Sequence, residues 1–287
     1  MITRVPCTPL PLDQSEVIYE HGPDSSRRPG VAEGRTIALT IDDPVAFPGT
    51  NRGVWIHIPA GVPVDGPARA TIFCDGAWYL DPAGDIRAGV VLDNMVASGA
   101  IPPQIGVFVD SGVFPNVVDG DARKNRNREY DSDGPRYADF LRDEVLTWVR
   151  DHVALSDNPQ DRALCGGSSG GNACFTAAWH RPEDFGRVIC ISASFAQMSG
   201  GNPYPGRIAH EPRQPLRAFL VAEHRDLQWN EPEMNWFAEN LETAAALARK
   251  GYDLRLVLGD AGHSPRHGGV LLPDALRWVW RNDSTLR

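Results

Sequence analysis

The hydrophobic positions of this chain change period partway along. TIALTI (36–41) and GVWIHI (53–58) alternate or carry β-branched and aromatic side chains, which predicts two strands paired antiparallel. ARATIFC (68–74) predicts a third strand. Beyond it, strand and helix patterns take turns. A helix capped by Asp85 is expected to about Ser98 and to stop at Gly99, followed by the strand QIGVFV (104–109). A polar loop, 110–135, leads to a helix over 136–153 with Tyr137, Phe140, Leu141, Val145 and Trp148 on one face. RALC (162–165) is a short strand with a glycine turn and a helix to about Trp179 behind it. RVICIS (187–192) and PLRAFLV (215–221) are apolar runs of the kind found in strands buried on both faces. A helix over 232–250 ending at Gly251, the strand DLRLVL (253–258) and a helix over 271–280 complete the series. Such alternation predicts an α/β fold: a mainly parallel sheet with helices on both faces and an antiparallel N-terminal strand pair. Residues 1–34, rich in Pro, Gly and Ser, read as an irregular lead-in, and 35–287 as a single domain.

Composition narrows the class. The 287 residues are 42% hydrophobic, enough for a sizeable core, and carry a net charge of −9 with a pI near 5.4. That charge argues against nucleic acid or an anionic membrane as a partner. No apolar run is long enough to span a bilayer, and the opening MITRVPCTPLPLDQSE lacks the apolar centre of a secretion signal. Cys7, Cys74, Cys165, Cys174 and Cys190 show no CxxC spacing and read as small buried apolar residues in a reducing, cytoplasmic setting. No metal site or cofactor is expected, and a homo-oligomer is left open.

The chemistry concentrates in ALCGGSSGGNACFTAAW (163–179), a strand, a tight glycine turn and a helix. G-x-S-x-G in that setting is a nucleophile elbow, a strained turn that lifts a serine hydroxyl above the sheet. Two frames overlap, one centred on Ser168 and one on Ser169. The first begins directly after Cys165 and is preferred; Ser169 then offers its backbone N–H to an oxyanion. A glycine-rich anion-binding turn without catalysis is the plainer alternative. An elbow serine needs a base and an acid, in the chain order serine, acid, histidine. AEHRDLQW (222–229) offers Glu223 and Asp226, with Glu231 just beyond; Asp226 is preferred because Glu223 lies too close to the strand. GDAGHSPRHGG (259–269) offers His263 and His267, of which His263, in the loop, is preferred. The second oxyanion donor should lie at Gly76 or Ala77, after the third strand. Trp78 and Tyr79 could wall a pocket or simply pack the core. Arg128, and Arg136 at the end of the polar loop, could meet an anionic substrate or remain solvated.

Taken together, these segments resemble the putative-esterase branch of the α/β-hydrolases, which includes enterochelin esterases, feruloyl-type esterases, esterase D and the mycolyltransferases. The resemblance spans roughly residues 36–280. It is carried by FCDGAW (73–78), NREYDSDGPRYADFLRDEVLTWV (127–149), CGGSSGGNACFTAAWHRPEDFGRV (165–188), AEHRDL (222–227) and GHSPRHGG (262–269). It implies an α/β-hydrolase fold without a large lid, Ser168 as nucleophile, Asp226 as acid, His263 as base, and Ala77 and Ser169 as oxyanion donors. Enterochelin esterases commonly carry Trp two residues after the histidine; this chain has Pro265, which counts against a siderophore substrate. The expected activity is hydrolysis of a small-molecule carboxylic ester through an acyl-enzyme. An acyltransferase using the same triad and a non-catalytic binding protein of the same fold are the alternatives.

Overall fold

The structure, a computed structural model, describes residues 4–6, 9–63, 66–118, 120 and 124–282. Cys7 and part of the 110–135 loop lie outside them. Among the described residues, eight strands form one sheet in the order β1-β2-β4-β3-β5-β6-β7-β8. They are β1 (Arg35–Asp42), β2 (Asn51–Ile58), β3 (Arg69–Cys74), β4 (Gln104–Val109), β5 (Arg162–Gly167), β6 (Arg187–Ile191), β7 (Arg217–Glu223) and β8 (Asp253–Gly259). β2 pairs antiparallel with both β1 and β4, and every other pairing is parallel. The expected mainly parallel sheet with an antiparallel N-terminal pair is therefore the observed architecture. After β3 the chain first adds β4 on one side and later β5 on the other. That reversal opens a crevice at the carboxyl ends of β3 and β5.

The parallel strands divide their side chains with period two between two cores. Ile72, Leu164, Val188, Cys190, Ala218 and Leu220 face one; Phe73, Cys165, Ile189, Ile191, Phe219 and Val221 face the other. The first core is covered by α4 (Arg136–Phe140), α5 (Leu146–Arg150), α6 (Ser169–His180), α7 (Tyr204–His210) and α8 (Trp236–Arg249). The second is covered by α2 (Ala88–Ala97) and α9 (Pro265–Val279). Cys74, Cys165, Cys174 and Cys190 are buried free thiols, and burial pushes the Cys165, Cys174 and Cys190 thiols up, so they stay protonated and inert.

Four departures from the sequence pattern have local causes. A π-helical turn, Leu141–Val145, joins α4 to α5 and inserts one residue into the helical period. Val149 therefore takes the buried position expected of Trp148, which only packs against the core edge. α2 begins at Ala88 because Asp85 is held by Arg266 at 3.1 Å and Arg87 turns left-handed, φ 59°, as the N-cap. α8 begins late, at Trp236, where the Asn235 side chain accepts from Ala238 N at 2.9 Å. α9 starts before Leu271, at Pro265, capped by Ser264. Its glycines allow close packing: a Cβ on Gly269 would lie 1.8 Å from the Asp85 carbonyl oxygen. Two short helices, α1 (Gly76–Leu80) and α3 (Arg126–Tyr130), occupy segments expected to be loop.

Candidate active site

Ser168 stands between the end of β5 and the start of α6 with φ 57° and ψ −129°, a conformation that side-chain-bearing residues rarely adopt. Neighbouring backbone holds it there. Its N–H donates to Ile191 O at 2.9 Å, and its carbonyl accepts from the N–H groups of Gly171, Asn172 and Ser194. The glycines on either side serve the crossing of strand and helix. A Cβ on Gly166 would sit 2.4 Å from Gly170 O, and one on Gly171 3.0 Å from the Ala193 Cβ. Gly166→Ala is therefore expected to cost about 2 kcal/mol or more, read from urea unfolding, because the obstructing atom is backbone that cannot swing aside. An unfolding midpoint equal to wild type would show the elbow to be looser than described.

Ser168, Trp78, Tyr79, Ile86, Gly167, Ile191, Ser192, His263, Ser264 and Pro265 line one small cavity of about 50 Å³. His263 Nδ1 lies 2.7 Å from Asp226 Oδ1, and the Asp226 carboxylate is fully buried. This pairing leaves the histidine's other nitrogen free for a substrate or nucleophile. The Ser168 hydroxyl is hydrogen-bonded to Ser194 Oγ at 3.2 Å, not to His263. Ser169, the alternative serine, is buried, and its hydroxyl donates to Asp131 Oδ2 at 2.9 Å, behind the elbow. Glu223 and His267, the other acid on the strand end and the other base considered, pair with each other at 3.0 Å, while Glu231, the third acid offered, is exposed. The paired residues are both buried, and Glu223 also accepts from the Ser192 hydroxyl.

The expected oxyanion donors differ in their surroundings. Ser169 N–H is the first amide of α6, a position with no intrahelical acceptor, and there the helix dipole favours negative charge. Ala77 N–H already donates to Asp110 Oδ1 at 2.9 Å, so an oxyanion could use it only once Asp110 lets go. Burial pushes the Asp110 carboxyl up, and the nearby Asp75 adds to the shift. Gly76 packs tightly against β4, where a Cβ would lie 2.5 Å from Val109 N. Trp78 is half exposed at the rim, whereas Tyr79 is buried and belongs both to the cavity wall and to the core.

α3 braces this crevice. Arg126 makes a bidentate pair with Asp75, at 2.8 and 2.7 Å, and reaches Gly167 O at 3.3 Å, so it ties the turn after β3 to the end of β5. Burial works against the Arg126 charge, but the Asp75 carboxylate more than offsets it and raises the pKa. Asp131 accepts from Asn127, Ser169 and Asn172; burial nevertheless pushes its carboxyl up. Arg128 is not brought to Ser168. It is exposed and lines a separate cavity of about 690 Å³ together with Arg136. The sequence reading missed Ser194, Arg126, Asp131 and Asp110. Only Asp110 had a legible signal, as the first residue beyond a parallel strand next to β3.

Residues 46–274 match the family described as putative esterase. An iron(III) enterobactin esterase from Dickeya dadantii (strain 3937) is 33% identical over 251 residues, covering 81% of this chain and 52% of the relative. The chain thus spans about half the length of that curated relative. The crystal structure of the enterobactin esterase from Shigella flexneri, solved in the presence of enterobactin, superposes with a TM-score of 0.70 at 19% identity, over 92% of this chain and 62% of that one. The feruloyl esterase module from Clostridium thermocellum gives 0.62 at 14% identity, over 92% and 94%. These two likenesses concern the fold: an α/β-hydrolase sheet with its helices. Among the described residues, no helix is long and apolar enough to cross a membrane.

Proposed function

The chain belongs to the putative esterase family, and from that premise we propose that it hydrolyses a small-molecule carboxylic ester, with Ser168 as nucleophile, His263 as base and Asp226 as the acid that orients it. One observation carries the reading. The strained Ser168 and His263 face the same cavity, and His263 is held at 2.7 Å by a carboxylate with no exposure to solvent.

When an ester enters, the Ser168 hydroxyl exchanges Ser194 for His263, since catalytic hydrogen bonds often tighten only once substrate is bound. His263 takes the proton as Oγ bonds to the carbonyl carbon, and Asp226 stabilises the imidazolium that results. The Ser169 N–H receives the developing oxyanion, where one such donor is typically worth about 3 kcal/mol of barrier. The tetrahedral intermediate collapses and expels the alcohol, which leaves with the proton from His263. Water, deprotonated by the same histidine, then attacks the acyl-enzyme, and as that intermediate collapses to the carboxylic acid His263 returns the proton to Ser168 Oγ. The D. dadantii relative makes ferric enterobactin one ester to try, although Pro265 stands where enterochelin esterases commonly carry Trp.

Labelling with a fluorophosphonate followed by peptide mass mapping is the test. The expected result is one adduct on Ser168, abolished in Asp226→Asn along with most of the ester turnover, a fall of about 10³ to 10⁴ in kcat. A folded protein that takes no label, while a control esterase does, would remove the catalytic reading.

A further inference from the structure

We propose that the segment ahead of β1 belongs to the catalytic apparatus, with Tyr19 as a positioning residue for His263; the proposal rests on the esterase reading above. His263 sits in the connection between β8 and α9, which includes Ala261 at a positive φ of 69°. A non-glycine residue in that conformation persists only where its surroundings hold it. On one side, His224 N donates to Gly259 O at 2.9 Å and Arg225 N to Ala261 O at 3.2 Å. On the other side the holding is done by the N-terminal segment. The Tyr19 hydroxyl donates to Asp260 O at 3.1 Å and accepts from Asp260 N at 2.8 Å, while Ala261 N donates to Gln14 O. One phenol therefore clamps both backbone polar groups of a residue three positions before the base.

The same ring continues inward. It stacks on His267 with centroids 4.0 Å apart and planes 19° from parallel. His267 bonds Glu223, and Glu223 accepts from Ser192, which walls the cavity beside Ser168. His267 also underlies the start of the loop, since a Cβ on Gly259 would lie 2.0 Å from its ring. Farther along, the segment is tied to α2: Asn94 donates to the carbonyls of Asp24 and Ser26, both at 2.8 Å, and Arg27 pairs with Asp93 at 2.8 Å. The segment is thus fixed at one end and bears on the His263 loop at the other. Because the Ser168 hydroxyl rests on Ser194 and not on His263, the loop's position decides how well base and nucleophile align. A misplacement of about 1 Å costs on the order of 100-fold in rate.

Tyr19→Phe keeps the stack and removes both hydrogen bonds; Tyr19→Ala removes everything. Arg69→Ala, which breaks a pair with Asp161 at the far end of β3, is the control for general stability. Turnover of a p-nitrophenyl ester, the rate of fluorophosphonate labelling and the melting temperature would be measured on each. Tyr19→Phe is expected to lower kcat and the labelling rate about 10-fold with KM within about twofold of wild type, and Tyr19→Ala about 100-fold, while Arg69→Ala keeps wild-type kcat. Wild-type kcat in Tyr19→Phe, a rise in KM without a fall in kcat, or an equal fall in Arg69→Ala would each overturn the proposal and leave the esterase reading intact. A wild-type protein that neither hydrolyses esters nor takes the label would instead sink the esterase reading, and this proposal with it. Should Tyr19→Ala fail to fold, the Phe variant decides.

Discussion

Ser168→Ala is expected to lower ester turnover by at least about 10³-fold and to abolish fluorophosphonate labelling, with unfolding stability close to wild type. The hydroxyl is the atom proposed to bond the substrate, and alanine offers nothing in its place. Folding should tolerate the change because the elbow is held through the backbone of residue 168, by Ile191 O and by the start of α6. The neighbouring serine supplies the contrast. Ser169→Ala removes a bond to Asp131 on the far side of the turn but keeps the backbone N–H proposed for the oxyanion. It should therefore retain activity within about 10-fold of wild type. Steady-state kinetics on both variants decide between the two overlapping frames: full activity in Ser168→Ala beside an inactive Ser169→Ala would mean that the nucleophile is the buried residue.

The largest expected effect on stability lies at Glu129. Arg52 of β2 and Glu129 of α3 form a bidentate pair at 2.7 and 2.9 Å, and neither side chain has any exposure. Glu129 also accepts from Gly112 N and Asn125 Nδ2, and the Arg52 guanidinium lies over the Phe140 ring at 4.4 Å. Glu129→Gln leaves a buried cation without its counter-charge, a change that typically costs about 3–5 kcal/mol. Against a total stability of about 5–15 kcal/mol, that is a large fraction. Urea unfolding should show it as a lower midpoint. Since α3 also carries Arg126, which ties Asp75 to Gly167, the variant should lose activity as its brace loosens. Removing both charges, with Arg52→Met and Glu129→Leu together, should recover much of the lost stability, because the penalty comes from the unpaired ion. A Glu129→Gln midpoint indistinguishable from wild type would show that the pair's desolvation had cancelled its attraction.

Much of the architecture was legible because it follows from local periodicity. A strand buried on both faces must be apolar through its centre, and VICI (188–191) and AFLV (218–221) are; their neighbours β5 and β8 could then be placed by alternation with helices. Legibility failed where one inserted residue or one cap decides. Nothing in LRDEV marks a π-helical turn, yet it exchanges Trp148 for Val149 in the core. The Ser264–Pro265 start of α9 was present in the sequence but masked by Gly268, Gly269 and Pro273, which usually break helices. Here the two glycines exist so that the helix can approach Ile191 and Asp85. The brace around the elbow was illegible for a different reason. Asp75, Arg126 and Gly167 are far apart in sequence and meet only across the switch point of the sheet.

The chain by itself determined the sheet, the strained serine turn and the order in which Ser168, Asp226 and His263, proposed as nucleophile, acid and base, follow their strands, because each depends on short-range stereochemistry or on the period of burial. It favoured His263 and Asp226 by their places in the loops but did not exclude the other pairings. His263 and His267 lie only four residues apart, and Glu223, Asp226 and Glu231 only eight, so sequence position alone separates them weakly. The tertiary structure separates them by where α9 begins. Ser264 caps the helix, so His263 stays in the loop at the cavity beside Asp226, while His267 falls in the first turn and is buried against Glu223 at the end of β7. That choice depends on the helix packing against the sheet, a contact between segments that no local pattern of residues contains.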